Sequence, residues 1–328
     1  MELKPLVVVT SQVSTDALAM LGEFAQIRQL NAPSEEQLVD AVITADALLN
    51  KDAATQINER VLKAGKGLRI VARHGAGYDN VDISAATRLG IVITNTPGSN
   101  ADAVAEFAIT LILALARNLV RAHCSVINGE WARNRLTGMG VAGKTLGVMG
   151  LGTIGRRVAA LARGLGMRTI CYDPYMQLQP PPEIEAAESL EDLLAKSDFV
   201  SIHTALTSET RGLINRDRLK LMRSTAFLIN NARGPIVDEG ALAEALREGW
   251  IAGAALDVFN SEPLDASSPL RQLNNVILTP HLSGTTHEAL QQTAIAAVEE
   301  IRRVLGGQRP LHILNPEVLD SVLYRRSY

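Results

Sequence analysis

Two cysteines, Cys124 and Cys171, are all that the chain contains. Neither stands in a CxxC pair or a Cys/His cluster. That excludes a disulfide framework and a structural zinc, and it points to reduced thiols in a cytoplasmic protein. Cys171 sits in an apolar segment and reads as a small core residue. Runs of like charge are missing too. The net charge is −3, with no basic face to hold nucleic acid or another polyanion. Long apolar stretches are also absent. Residues 107–116 fall short of the roughly 20 needed to span a bilayer. Glu106 and Arg117 bracket them, so a buried helix is expected. The first residues are too soon broken for a signal peptide and read as a strand. Internal repeats and low-complexity segments are lacking, and Pro180-Pro181-Pro182 is a local loop.

What is present is a globular composition, with 47% apolar and 20% charged residues. A length of 328 residues exceeds one ordinary core, so two domains are expected. In the first hundred residues strand segments (6–10, 47–49, 68–72, 91–94) alternate with helical ones (35–43, 55–63), the pattern of a small parallel α/β domain. Turn formers at 95–100 end it, and a long helix from 101 to about 126 follows, with Ser99 and Asp102 placed to cap it. Further strands are expected at 199–203, 226–230, 253–256 and 276–278, with a helix over 239–248. A last helix, 286–305, and the tail cannot form a core alone. They are expected to pack back on the first domain. The division is therefore 1–99 with 285–328, and 100–284.

The most informative segment is Gly150-Leu151-Gly152-Thr153-Ile154-Gly155. An apolar strand (145–149) precedes it, a helix-forming stretch follows, and a second strand (168–172) ends at Asp173, 23 residues past Gly150. Gly150 permits the tight turn, Gly152 lets a pyrophosphate approach the backbone, and Gly155 lets the helix pack on the sheet. The helix start offers free N–H groups and its positive dipole end to phosphate. Asp173 can accept both ribose hydroxyls, and its charge repels a 2′-phosphate, so the expected cofactor is NAD.

Arg233, Glu262 and His281 each follow an apolar strand, where a doubly wound fold exposes residues to its ligand. Singly, Glu262 reads as a solvated turn residue, while Arg233 and His281 read equally as a surface charge or loop tie and as chemistry. In order behind a dinucleotide fingerprint, they read as a catalytic set. Among the other histidines, His203 reads as a packing residue, His123, His287 and His312 as surface or helix residues, and His74 as a substrate contact.

With these motifs in hand, the chain resembles, over nearly its full length, the NAD-dependent D-2-hydroxyacid dehydrogenases, the group of phosphoglycerate dehydrogenase and hydroxypyruvate reductase. The carriers are Gly75-Ala76-Gly77-Tyr78-Asp79-Asn80-Val81-Asp82, Asn95-Thr96-Pro97-Gly98 with Val104-Ala105-Glu106, the fingerprint with Asp173, Asn231-Ala232-Arg233-Gly234, Asp257-Val258-Phe259 with Glu262-Pro263, and Pro280-His281. The resemblance implies a Rossmann-type doubly wound parallel sheet plus a smaller flavodoxin-like substrate-binding domain. It implies that Arg233 anchors the substrate carboxylate and polarises the carbonyl, that His281 is the acid/base, and that Glu262 raises the histidine pKa through the other ring nitrogen. It implies that Asp257 lies near the nicotinamide, that Thr153, Ile154, Thr204, Thr210, Asn231, Ala232 and Gly284 line the cofactor, and that the loop from His74 through Gly75, Ala76 and Gly77 binds substrate. It also implies a homodimer in which Trp131 reaches toward the partner's active site.

Hydroxypyruvate/glycerate and 3-phosphoglycerate lead as substrates, ahead of glyoxylate and phenylpyruvate-like acids. Phosphite oxidation and a non-catalytic NAD-sensing corepressor-like scaffold are the alternatives. The chain departs from the resemblance at Ala205, where proline is common, and at Ser283, where glycine or alanine is common. Glu262 stands where formate dehydrogenases have glutamine, which disfavours formate. No regulatory domain for serine feedback is expected.

Overall fold

The computed structural model describes residues 4–52, 54–176 and 180–320. The chain divides into two units, Met1–Asn100 with Thr285–Tyr328, and Ala101–Gly284.

The first unit carries strands β1 (Leu6–Val9), β2 (Gln26–Gln29), β3 (Ala47–Asn50), β4 (Ile70–Arg73) and β5 (Val92–Thr94), and helices α1 (Thr15–Phe24), α2 (Glu35–Val42), α3 (Glu59–Ala64) and α4 (Ile83–Leu89). The strands are parallel in the order β2-β1-β3-β4-β5, a flavodoxin-like sheet. Its strands are continuous apolar runs because both faces are covered. Val7 and Val9 pack on one side with Leu21 of α1, while Val8 packs on the other with Leu38 and Val61. The last helix of the chain, α11 (His287–Leu305), belongs to this unit, and its Ala294, Val298 and Ile301 enter the same core as Val7 and Val9.

The tail behind α11 is tied down by buried polar groups. The Glu300 carboxylate accepts the N–H groups of Leu311 (2.9 Å) and His312 (3.0 Å). Leu314 N–H donates to the Ile93 carbonyl at 2.8 Å. Asn315, fully buried, accepts from Ile93 N–H at 2.9 Å and donates to the Ile91 carbonyl at 2.9 Å and the Thr87 hydroxyl at 3.1 Å. These bonds cover the open edge that β5 would otherwise present.

The second unit contains α5 (Ala101–Ala116), α6 (Leu119–Ile127), β6 (Thr145–Met149), α7 (Thr153–Gly164), β7 (Arg168–Tyr172), β8 (Glu185–Ala186), α8 (Leu190–Lys196), β9 (Phe199–Ile202), α9 (Arg216–Leu221), β10 (Phe227–Asn230), α10 (Glu239–Arg247), β11 (Gly253–Leu256) and β12 (Val276–Leu278). The order β12-β11-β10-β9-β6-β7-β8 is parallel throughout. It is the Rossmann arrangement with one added edge strand, and its direction reverses between β6 and β9. One core lies under α5 and α7 and a second under α8 and α10.

Two expectations about the helix from residue 101 need correction. The long helix breaks: Asn118 adopts φ 51°, and α5 and α6 meet at 62°. Asparagine tolerates the left-handed region better than most residues. Among the described residues no single helix is long and apolar enough to cross a membrane. Ser99 does not cap α5 either. Its hydroxyl donates to the Thr96 carbonyl (2.8 Å) and pairs with the Thr293 hydroxyl, while Asp102 pairs with Arg157.

Replacing Asn315 with alanine strands a buried N–H and a buried carbonyl. The expected loss is about 1–3 kcal/mol, read as a lower midpoint in thermal and urea unfolding. An unchanged midpoint would remove Asn315 from the account of the tail.

Candidate active site

The glycine turn after β6 is shaped by close backbone approaches. Gly150 has φ +92°, and a Cβ there would meet the His203 carbonyl oxygen at 2.8 Å, while one on Gly155 would collide with the Gly150 carbonyl oxygen. Above Gly152, by contrast, a Cβ would meet nothing within 4 Å. The helix α7 starts with no side-chain cap. Its first internal bond runs from Arg156 N–H to the Gly152 carbonyl, 3.0 Å. The N–H groups of Gly152, Thr153 and Ile154 therefore precede the helical ladder and face an open floor. Asp173 is fixed beside them, accepting Leu151 N–H at 2.9 Å and Tyr175 N–H at 3.0 Å. An open glycine floor, N–H groups unpaired among the described residues and a held carboxylate fit a dinucleotide. Burial, and then the Asp173 charge, raise the Cys171 thiol pKa, as suits a packing residue.

The other cofactor candidates divide. The Thr210 hydroxyl donates to the Ala205 carbonyl (2.7 Å) and accepts Thr207 N–H (2.7 Å), so it is engaged within its own loop. Asn231 donates to the Val104 carbonyl at 3.1 Å, but its Oδ1 is buried without a partner among the described residues. Thr204 and Gly284 are half-buried. Asp257 is fully buried and binds the loop that carries His281.

Three strand ends bring the chemistry together. Asn230, at the end of β10, accepts Ala232 N–H (3.1 Å) and donates to the Arg233 carbonyl (2.9 Å), which sets the Arg233 turn. A Cβ on Gly234 would collide with the Phe259 carbonyl group, so the turns after β10 and β11 touch backbone to backbone. From the second turn, Glu262 accepts Phe259 N–H at one oxygen (3.0 Å) and meets His281 Nδ1 at the other (2.7 Å). Burial pushes the Glu262 carboxyl up, but the His281 hydrogen bond and charge, the Phe259 N–H and the Arg233 guanidinium outweigh it. The net pKa lies below the ordinary value. His281 itself has φ 56°, a left-handed conformation that costs a side chain about 1–2 kcal/mol. With Nδ1 held by Glu262, Nε2 carries no hydrogen bond among the described residues.

The residues expected at the substrate lie in the first unit, at the carboxyl end of β4. His74 is 8% exposed, with Nε2 3.3 Å from the Leu290 carbonyl. Burial lowers its pKa from 6.5 to about 4 against that hydrogen bond. Gly75, at φ +126°, donates its N–H to the Thr96 hydroxyl (2.8 Å), and Asn95 donates to the Ala76 carbonyl (2.7 Å). The N–H groups of Ala76 and Gly77 carry no partner among the described residues.

Sequence reasoning missed Asn230, Thr279 and the Phe259 N–H. An asparagine at a strand end, two residues before a buried turn, was a legible signal for Asn230. The backbone donor had none.

Residues 109–283 match the family model described as "D-isomer specific 2-hydroxyacid dehydrogenase, NAD binding domain". The chain is 43% identical to the glyoxylate reductase of Aeropyrum pernix, over 96% of this chain and 97% of that protein. It is 38% identical to the D-3-phosphoglycerate dehydrogenase of Methanocaldococcus jannaschii, over 94% of this chain but 59% of that protein. Among solved structures, the TT0316 protein of Thermus thermophilus is similar with a TM-score of 0.87 and 36% identity, covering 94% of this chain and 99% of that one.

Because folded His74 resists protonation, the unfolded chain binds the extra proton below its ordinary pKa of 6.5. This contribution to stability is complete above pH 6.5 and is lost as pH falls toward 4, by on the order of 3 kcal/mol in all. His74→Gln is expected to flatten the fall in melting temperature between pH 7 and 4.5. An identical slope in the variant would contradict the assignment.

Proposed function

The chain belongs to the D-isomer-specific 2-hydroxyacid dehydrogenase family, and we propose that it is an NAD-dependent reductase that interconverts small 2-keto acids and D-2-hydroxy acids. The observation that carries this reading is the Glu262 carboxylate held between a backbone N–H and His281 Nδ1, with the Arg233 charge acting on it. Arg233 binds the substrate carboxylate through its planar fork and polarises the adjacent carbonyl. A bound reduced nicotinamide supplies the hydride. His281 Nε2 gives its proton to the carbonyl oxygen, and in the reverse direction takes it from the alcohol. Glu262, ionised throughout the neutral range, balances the imidazolium and keeps its tautomer fixed. In the first unit, the N–H groups of Ala76 and Gly77 are the proposed donors to a substrate carboxylate.

Asp173 supports NAD over NADP, since a fixed carboxylate repels a 2′-phosphate. Hydroxypyruvate and glyoxylate lead as substrates. The glyoxylate reductase relative is 43% identical and the D-3-phosphoglycerate dehydrogenase relative 38%, and 3-phosphoglycerate follows. Two free cysteines, one of them buried, suit a reducing cytoplasm.

The proposed assembly is a homodimer. Helix α6 buries no residue, and Leu119, Val126, Ile127 and Trp131 are 59%, 58%, 71% and 84% exposed. Such an apolar cluster marks an association surface. Ile127→Glu is expected to turn a dimer into a monomer by sedimentation at micromolar concentration. A monomeric parent protein would reject the assembly.

The decisive assay follows NADH consumption across a 2-keto acid panel, with 3-phosphohydroxypyruvate among the acids. His281→Ala is expected to lower kcat by about 100-fold or more, and Arg233→Ala to raise KM and lower kcat. Turnover of no keto acid by protein that binds NADH would end the proposal. Equal binding of NADPH would end the role of Asp173.

A further inference from the structure

His281 is held at two points, and only one of them is its ring. The imidazole is gripped by Glu262. The backbone is gripped from the other side by Asp257, at the end of β11, whose side chain is 0% exposed. One Asp257 oxygen accepts Leu282 N–H at 2.8 Å and the Thr279 hydroxyl at 2.6 Å. The other accepts Ser283 N–H at 2.8 Å and the Ser283 hydroxyl at 2.5 Å. The four donors bracket His281 in sequence: Thr279 two residues before it, Leu282 and Ser283 directly after. The bracketed residue is one of only three non-glycine positions with positive φ among those described. A side chain in that region reverts to ordinary backbone angles unless its surroundings hold it.

We propose that Asp257, with Thr279 and Ser283, is a positioning device for the acid/base: it holds the 279–283 turn in the left-handed form that aims His281 at Glu262. The proposal rests on the catalytic reading of His281 and adds a role for a carboxylate expected only beside the cofactor. The chemistry favours a carboxylate over any other side chain of that size. Two oxygens can accept all four donors. An amide offers one acceptor oxygen, and its NH₂ would confront donors on the other side. A buried polar group facing unmatched donors is costly, so Asp257→Asn relaxes the turn rather than preserving it. Removing the Ser283 hydroxyl takes away one bond of four and leaves the backbone bonds, which makes Ser283→Ala the milder probe. A displacement of the imidazole by a fraction of an ångström weakens proton transfer without touching substrate or cofactor binding.

The test combines a kinetic split with a spectroscopic readout. In protein labelled with ¹⁵N-histidine there are only 6 imidazoles, and His281→Gln identifies the signal of interest. The expectation for Ser283→Ala is a kcat lowered about three- to tenfold, with the KM and Kd for NADH within twofold of the parent, and for Asp257→Asn a loss of about tenfold or more. The acid limb of the kcat profile shifts in both variants, and the His281 ring nitrogen signals move without any ligand present. Signals and acid limb unchanged in both variants would overturn the proposal. So would weakened NADH binding at unchanged kcat, which would make the carboxylate a cofactor contact instead. Should the parent protein turn over no keto acid, the functional reading fails on its own, and the ligand-free spectra still decide whether Asp257 and Ser283 set the imidazole.

Discussion

A parallel sheet covered on both faces leaves polar chemistry only one place to gather: the edge where the strands end together. In the second unit that constraint organises everything else. β6 ends in the glycine turn, β7 in Asp173, β10 in the Arg233 turn, β11 in Asp257 and the Glu262 loop, and β12 in the His281 loop. Their interiors are closed to such groups. Val200, Leu228, Ile229 and Ala254 are fully buried, and a charge among them would lack a partner. Residues distant in sequence therefore meet because their strands run in register, and the reversal between β6 and β9 opens the space above the glycine turn.

Carboxylates hold the loops at that edge, alongside the packing of Val258 and Phe259. Asp173 ties the second strand end to the glycine turn, Glu262 ties its own turn to His281, and Asp257 ties the His281 turn to β11. A carboxylate accepts several N–H groups at once, so one residue can order a loop that has little apolar surface to bury. The same bonds set the electrostatics. Glu262 sits below its ordinary pKa because its oxygens face a backbone N–H and an imidazole, with Arg233 adding to the effect.

How much of this was legible in the sequence depended on whether a residue's role was local. The fingerprint was readable because glycine spacing, strand and helix are contiguous, and β11, β12 and β7 were bounded to the residue by their apolar runs. The family motifs named Arg233, Glu262 and His281 in advance, and the chain's membership of that family agrees with the comparison over residues 109–283. The polar edge strand β2 (Gln26–Gln29) went unread because three of its four residues are exposed and carry no apolar signal. The helix expected from residue 55 starts at Glu59, since Asn58 accepts Val61 N–H and caps it there, while Ile57 bridges to Val81. The break at Asn118 was hidden because one left-handed residue leaves the helical periodicity on either side intact. The Asp257 bonds were out of reach for another reason. Their partners lie 22 to 26 residues away, and no spacing rule relates a strand end to a turn beyond the next strand.

Burial separates the histidines more sharply than their motifs do. His74 and His203 both stand at strand ends, the first expected at the substrate and the second as a packing residue. Burial, however, lowers His74 to about 4 and His203 to about 3, so neither holds a proton at neutral pH. His74 meets a carbonyl and His203 a serine hydroxyl, partners suited to a neutral ring. His281 differs in both respects. Its side chain is 39% exposed and its partner is a carboxylate at 2.7 Å, so a protonated ring there would meet solvent and an opposite charge. An acid/base must tolerate both of its protonation states within the same fold. Of these three, His281 alone pairs with a carboxylate, the partner that the proposed acid/base role asks for.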